Sequence, residues 1–195
     1  RMDALVMCGG RGTRLRDGDD ETDAVEKPLV EVGGASMLSR VVDALRESRI
    51  ERTGTIHAVI SPHAPETAAR ARDLSLSVVE TAGDGYVSDL STALDAVGRP
   101  VLTVPADLPL LDGPVIDRIL DAATGSLTVA IPVGRKRALG VSVDTAYRDG
   151  GRLLTPAGIN VVGGGADDTL VARDRRLAVN VNRPRDARRA AWFRQ

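Results

Sequence analysis

Aromatic residues and cysteine are scarce in this chain. Four of its 195 residues are aromatic, and Cys8 is its single cysteine. One cysteine excludes an intramolecular disulfide and a cysteine-ligated structural zinc site. With so few rings and a net charge of −1, the chain lacks the stacking groups and the basic surface that nucleic-acid binding uses. The core must be built from Val, Leu, Ile and Ala, which favours a parallel sheet.

Long hydrophobic runs are also absent from the sequence. No apolar run approaches the roughly 20 residues of a membrane span, and the N-terminal residues show no signal-peptide pattern. We therefore expect a cytoplasmic protein without integral membrane contact. A length of 195 residues with 43% hydrophobic content is typical of one packed domain, expected to span residues 1–195.

Lysine is the scarce cation. Of the 26 basic residues, Lys27 and Lys136 are the lysines and the rest are arginine. Lys27 stands directly before Pro28 and follows a glycine-rich segment. In so arginine-rich a chain, a lysine at this position indicates a site that uses a compact point charge on a flexible stem.

A short apolar run leads into that glycine-rich segment. Ala4 to Cys8 is typical of a buried strand, and the chain leaves it through Gly9-Gly10-Arg11-Gly12. These glycines can present bare backbone N–H groups to an anion. The segment is not a Walker loop, because Thr13-Arg14 follows, and it lacks the third glycine of a dinucleotide-binding loop.

What the segment does resemble, from Gly9 to Arg14 and then Glu26-Lys27-Pro28-Leu29 after a gap, is the signature of nucleotidyltransferases that activate sugars, molybdopterin and corrinoids with an NTP. The plain alternative is a glycine-rich turn without a ligand. The intervening Asp17 to Asp23 is polar, and we expect it to be a solvated, mobile part of the phosphate loop that orders on nucleotide binding.

The rest of the chain alternates predicted strands and helices. This alternation predicts a Rossmann-like three-layer α/β/α fold with a mostly parallel sheet. From residue 134 to 167 the alternation breaks down, which predicts an acceptor-side insertion with one or two antiparallel strands. Further strands are predicted at Leu29–Val32, Ile56–Ile60, Leu76–Glu80, Pro100–Val104, Leu127–Ile131 and Leu177–Val181. Helices are predicted from a Ser36 cap to about Ser48, over Glu66–Asp73, up to about Val97, over Val115–Ala123, and from Pro184 onward.

Nucleotidyl transfer needs neutralised phosphates, a divalent ion and an aligned acceptor. Backbone N–H groups of Gly9, Gly10, Arg11, Gly12 and Thr13 are candidates for binding the phosphates. Arg14 is a candidate for the departing pyrophosphate, and Lys27 for the charge on the α-phosphate. Asp107 follows a predicted strand, at the edge where open α/β sheets bind ligands, and is the candidate for holding Mg²⁺. Its alternative role is a helix cap.

Segments along nearly the whole chain resemble the archaeal GTP:adenosylcobinamide-phosphate guanylyltransferases. The resemblance implies transfer of GMP from GTP to adenosylcobinamide phosphate, giving adenosylcobinamide-GDP and pyrophosphate in cobalamin biosynthesis, with Mg²⁺ as the expected cofactor. The segments are Met2–Leu15, Val25–Leu29, Thr81–Leu90, Pro105–Leu108, Pro156–Val162 and Asn180–Asn182.

The resemblance also assigns roles residue by residue. Thr81, Gly83 and Gly85 would line the guanine and ribose pocket, and we expect the Asp89 carboxylate at the guanine edge. Gly158 and Asn160 would lie beside the acceptor or the nucleotide. Asn180, or else Asn182, would approach the metal. Cys8 borders the nucleotide loop, although the end of a buried strand favours its packing as a small hydrophobe.

The acceptor side is the least constrained part of the prediction. Arg135-Lys136-Arg137 suits an anionic acceptor, with a solvated charge run as the alternative. A side chain at Gly158 is expected to project between the substrates, so that Gly158→Val would abolish transfer and leave the melting temperature nearly unchanged. A molybdopterin guanylyltransferase and a non-catalytic GTP-binding module are the alternative functions; the presence of Lys27 and Asp107 argues against the second.

Overall fold

The computed structural model describes residues 1–10, 15 and 25–195. Arg11, Gly12, Thr13, Arg14 and the polar segment 17–23 lie outside the described residues, so their predicted roles stay predictions. The described strands are β1 (Asp3–Met7), β2 (Ile56–Ile60), β3 (Ser77–Glu80), β4 (Val101–Pro105), β5 (Ser126–Pro132), β6 (Tyr147–Asp149), β7 (Arg152–Val162) and β8 (Asp167–Val171). The α-helices are α1 (Met37–Glu47), α2 (Ile50–Thr53), α3 (Pro65–Asp73), α4 (Tyr86–Val97), α5 (Gly113–Ala122), α6 (Val133–Leu139), α7 (Arg175–Ala178) and α8 (Pro184–Phe193).

The strands form one sheet in the order β3-β2-β1-β4-β7-β5-β8, with β6 paired to β7. The four adjacent strands β3, β2, β1 and β4 are parallel to one another and form the parallel half of the sheet; β8 runs parallel to β5. β7 is antiparallel to β4, β5 and β6. The predicted α/β class, with a mostly parallel sheet and a smaller antiparallel part, is confirmed.

Both faces of the sheet are covered by helices. Successive residues of a strand point to opposite faces of the sheet, and β1 is buried on both faces. On one face Val6 packs in the larger apolar cluster with Val41 of α1, and on the other Leu5 packs with Leu94 of α4. The strand is therefore almost continuously apolar, as expected of a parallel strand in a three-layer fold.

Two predicted strands are wrong. In the predicted strand Leu29–Val32, Leu29 instead ends a 3-10 turn over Lys27–Leu29. Glu31 forms an isolated antiparallel bridge with Ser36, because Gly33 and Gly34, at positive φ, turn the chain straight back. In the predicted strand Leu177–Val181, Leu177 and Ala178 instead belong to the short helix α7, whose first turn is capped by the Asp174 side chain. The last strand is β8, an exposed edge strand that sequence reasoning missed.

The predicted helices fit the structure closely. Ser36 caps α1 and its Oγ accepts a hydrogen bond from the backbone N–H of Ser39. Pro184 occupies the first turn of α8, where its missing N–H costs nothing. The antiparallel strands expected between residues 134 and 167 are present, but β7 lies inside the sheet between β4 and β5, so it directly adjoins the strand that ends at Pro105.

Gly158 does not face open space. The expectation that Gly158→Val would leave the melting temperature nearly unchanged is therefore wrong. The glycine has φ +83°, and a Cβ added there would lie 2.9 Å from Cγ of Pro105. Any side chain at this position would meet both a strained backbone and the end of the neighbouring strand.

Gly158→Ala should therefore destabilise the fold, by roughly 2–4 kcal/mol from backbone strain and overpacking. Urea unfolding measures the change. Gly134→Ala in α6 is the matched control, because no atom lies within 4 Å of its added Cβ and alanine favours a helix. Equal unfolding midpoints for the two variants would contradict this packing.

Candidate active site at the carboxyl edge of the sheet

A cleft opens where β1 and β4 end, at the edge where an open α/β sheet places its ligands. Segments from four parts of the chain form its walls. The lining residues are Met7, Cys8, Gly9, Gly10, Lys27, Pro28, Tyr86, Asp89, Pro105, Ala106 and Asp107.

Lys27 is the centre of this cleft. Its Nζ donates hydrogen bonds to Oδ2 of Asp107 at 2.5 Å and to Oδ1 of Asn182 at 2.7 Å. The Lys27 and Asp107 side chains are only 16% and 14% exposed, so their charges interact more strongly than they would at the surface. Two predicted catalytic residues, 80 positions apart in sequence, therefore form one ion pair.

The turn that carries Lys27 is anchored by Glu26. Its Oε1 accepts a hydrogen bond from the N–H of Glu66 at 2.9 Å, and its Oε2 accepts one from that of Thr67 at 2.6 Å. These N–H groups belong to the first turn of α3, whose own N-cap residue, Ala64, supplies no side-chain cap. Glu26 thus caps α3 from 40 residues away and also meets the positive end of its dipole.

The Asn182 side of the site is fixed by a buried carboxylate. Asp186 is fully buried and accepts hydrogen bonds from the N–H groups of Asn182 and Arg183 at 3.1 and 2.9 Å. It also accepts from the N–H and Oγ of Ser142. Next to Asn182, the N–H of Val181 donates to the backbone oxygen of Asp107 at 2.9 Å. These bonds hold the 180–183 turn against the end of β4.

The structure brings Asn182, and not Asn180, to Lys27. Oδ1 of Asn180 instead accepts a hydrogen bond from Nζ of Lys136. Lys136 is only 4% exposed; burial lowers the pKa of its ammonium, and the charges of Asp107, Asp186 and Asp144 oppose that shift. The predicted metal-approaching role of Asn180 stays a prediction, and Asn182 is the better-placed oxygen beside Asp107.

The predicted nucleotide side gathers around Asp89. Its side chain is buried, and its Oδ1 accepts a hydrogen bond from the N–H of Gly83 at 3.1 Å. A Cβ on Gly9 would lie 3.0 Å from Oδ2 of the same carboxylate. Gly85, at φ +115°, leads directly into α4. The two glycine-rich turns therefore meet at one acidic side chain.

Ser61 adjoins both turns, and the sequence analysis did not identify it as a site residue. Its Oγ is buried and has no hydrogen-bond partner among the described residues, and an added Cβ on Gly83 would lie 3.1 Å from its Cβ. Thr81, by contrast, uses its hydroxyl within the sheet, donating to the backbone oxygen of Ile60 at 3.2 Å.

The remaining predicted residues lie at the edges of this arrangement. Cys8 is buried, and burial raises the pKa of its thiol to about 12, so it packs as a small hydrophobe. Nδ2 of Asn160 donates to Oγ1 of Thr103 across the β4–β7 pair at 3.2 Å. Its predicted contact with the acceptor stays a prediction.

The side chains around Lys27 that could bind a metal ion do so through oxygen atoms. Within the described residues, no three His, Cys, Asp or Glu side chains converge as a metal cluster. Asp107 and Asn182 do offer a carboxylate and an amide oxygen, both within hydrogen-bond distance of Lys27 Nζ. These are ligand types that suit Mg²⁺, which usually keeps several waters and takes its other ligands from substrate phosphates.

The site thus combines a glycine-bearing turn after the first strand with a lysine paired to an aspartate at a strand end. Comparison with known proteins specifies the class of protein that carries it. A model of the MobA-like NTP transferase domain matches residues 4–188. The chain belongs to this family and is a nucleotidyltransferase. Among the described residues, no helix is long and apolar enough to span a membrane.

Named relatives agree with that class. An adenosylcobinamide-phosphate guanylyltransferase of Methanocaldococcus jannaschii is 32% identical over 173 residues, covering 83% of this chain and 80% of the relative. A molybdenum cofactor guanylyltransferase of Shewanella sediminis is 24% identical over 165 residues, covering 81% and 76%. Among solved structures, a CMP:2-keto-3-deoxy-manno-octonic acid synthetase has a TM-score of 0.65 at 13% identity, covering 99% of this chain and 97% of that one; it shows the fold alone.

Removing the Glu26 anchor should loosen the turn that holds Lys27. Glu26→Ala is expected to cost about 1 kcal/mol of unfolding free energy, the usual value of a helix cap, and to speed hydrogen exchange at the N–H groups of Glu66 and Thr67. Glu31→Ala, at an exposed position, is the control. Unchanged exchange at both amides would show that Glu26 does not cap α3 in solution.

Proposed function

We propose that this nucleotidyltransferase transfers GMP from GTP to adenosylcobinamide phosphate, releasing pyrophosphate. The observation that carries the proposal is Lys27, which bonds to Asp107 and Asn182 and lines a cleft together with Gly9 and Gly10. The similarity to an adenosylcobinamide-phosphate guanylyltransferase across 83% of the chain supports the choice of acceptor.

In the proposed reaction, a phosphate oxygen of the acceptor attacks the α-phosphorus of GTP. The new P–O bond forms as the bond to the β-phosphate bridge breaks, and pyrophosphate leaves with the electron pair. A phosphate monoester is largely ionised near neutral pH, so this attack needs no general base. That agrees with a cleft whose described lining holds no histidine and whose cysteine is a buried, protonated thiol.

Lys27 would stabilise the charge that develops on the α-phosphate. An ammonium already fixed by two side chains needs little reorganisation to meet that charge, which is the condition for strong electrostatic catalysis. Arg14, outside the described residues, is proposed for the departing pyrophosphate. Asp107 and Asn182 would hold Mg²⁺, which when bound would neutralise phosphate oxygens.

Guanine selectivity would come from the Asp89 corner. Guanine presents N–H donors at its Watson–Crick edge where adenine presents an acceptor, and a carboxylate only accepts. Oδ1 of Asp89 is occupied by Gly83, which leaves Oδ2, beside Gly9, for the base. The buried hydroxyl of Ser61 is a further polar group near this corner.

Lys27→Ala should lower kcat far more than it weakens GTP binding. A contact that strengthens in the transition state acts mainly on the chemical step, and loss of one such contact costs roughly 10²–10³-fold in kcat. Calorimetry with a non-hydrolysable GTP analogue should show less than about a tenfold loss of affinity. Equal losses in binding and kcat would reduce Lys27 to a phosphate anchor.

The proposed function is tested by incubating the purified protein with Mg²⁺, with either GTP or ATP, and with either adenosylcobinamide phosphate or molybdenum cofactor. Release of pyrophosphate and formation of the nucleotidylated acceptor are measured. We expect pyrophosphate and adenosylcobinamide-GDP from GTP with the corrinoid. Transfer to molybdenum cofactor alone would favour the alternative acceptor, for which the Shewanella sediminis relative is the supporting observation. GTP binding without transfer to either acceptor would favour a non-catalytic module.

A further inference from the structure

Both lysines of the chain converge on the same edge of the sheet. Lys27 reaches Asp107 from the β1 side, whereas Lys136 belongs to α6, which follows β5 on the far side of β7. Lys136 Nζ bonds Asn180, two residues before the Asn182 that holds Lys27. Between the two asparagines, the N–H of Val181 donates to the backbone oxygen of Asp107, so the same short turn connects Lys136 to the partner of Lys27.

Lys136 is a buried cation that forms no ion pair with the described residues. Its residue is 4% exposed, and within the described part of the chain no carboxylate lies at ion-pair distance from its Nζ. Its one described hydrogen bond goes to the neutral amide oxygen of Asn180. An ammonium carries three donors, so two remain for another acceptor.

The nearest acidic groups already have partners of their own. Asp107 accepts from Lys27, Asp144 accepts from Arg183 at 2.8 Å, and the buried Asp186 accepts the N–H groups of the 182–183 turn. A buried charge is costly unless an opposite charge meets it. The described carboxylates therefore leave Lys136 without a charge partner of its own, which is the condition for binding an external anion.

The two flanking arginines do not share the buried position of Lys136. Arg135 uses its Nε to bond the backbone oxygen of Arg173 at 2.9 Å, and Arg137 is exposed. Lys136 is the buried residue of the Arg135–Arg137 run. The alternative interpretation of this run as solvated surface charge therefore describes Arg137 but not Lys136.

We propose that Lys136 binds the phosphate group of the acceptor, opposite the donor phosphates that Lys27 meets. The inference rests on the proposed function, because it needs an acceptor that carries a phosphate. The sheet order supports the division: the glycine loop and Lys27 lie at the β1 side of Asp107, and α6 lies at the β5 side. An incoming phosphate held by Lys136 would face the α-phosphate across Asp107.

The test compares adenosylcobinamide phosphate with adenosylcobinamide, which lacks the phosphate, by spectroscopic titration in the presence of a non-hydrolysable GTP analogue and Mg²⁺. The wild-type protein should bind the phosphorylated ligand at least about tenfold more tightly, the scale of a charged hydrogen bond. Lys136→Met, which keeps the apolar stem, should bring this ratio close to one. Arg137→Met, on the same helix and of the same charge, should keep the wild-type ratio.

Lys136→Gln separates charge from geometry, because it keeps a donor for Asn180 and removes the cation. Its ratio should fall like that of Lys136→Met, while affinity for the GTP analogue and the melting temperature stay near wild type. A wild-type ratio in both variants, or a loss of GTP-analogue affinity as large as that of the acceptor, would overturn the inference. A wild-type protein that binds neither corrinoid would instead reject the proposed function and the inference with it.

Discussion

The ion pair between Lys27 and Asp107, completed by Asn182, is the interaction on which the rest of the site depends. It joins three segments far apart in sequence, and ordering them has an entropic cost that a single partly exposed pair cannot offset. Neighbouring contacts make up the difference: Glu26 docks its turn on α3, and Asp186 fixes the Asn182 turn. The position of the lysine therefore depends also on Glu26 and Asp186, two carboxylates outside the cleft lining.

The local parts of this site could be predicted from sequence because each depends on a short pattern. A buried strand followed by glycines, a lysine before proline and an aspartate after a strand predicted the elements that meet in the cleft. The long-range parts could not be predicted. No local pattern shows that Glu26 caps a helix 40 residues away. Nor does one show which of Asn180 and Asn182 faces Lys27, since bonds from this turn to Asp186 and Asp107 decide it. Gly158 was misjudged because its neighbour, Pro105, lies on another strand.

The same fold serves different acceptors, so function here depends on groups placed upon it and not on the sheet itself. The parallel half of the sheet presents the glycine turns and Asp89, whereas β7 and α6 enter from the antiparallel half. Placing the donor on one half and the acceptor on the other would let the acceptor side vary without disturbing the Lys27 centre. The names of the Methanocaldococcus jannaschii and Shewanella sediminis relatives specify different acceptors.

In the proposed reaction the acceptor attacks GTP directly, while Lys27 stabilises charge and forms no bond to phosphorus. Transfer from GTP carrying a chiral α-thiophosphate tests it, because each displacement at phosphorus inverts the configuration. A single direct displacement predicts net inversion in the product formed with adenosylcobinamide phosphate. Net retention would require two displacements through a guanylylated protein group, and would contradict a purely electrostatic role for Lys27.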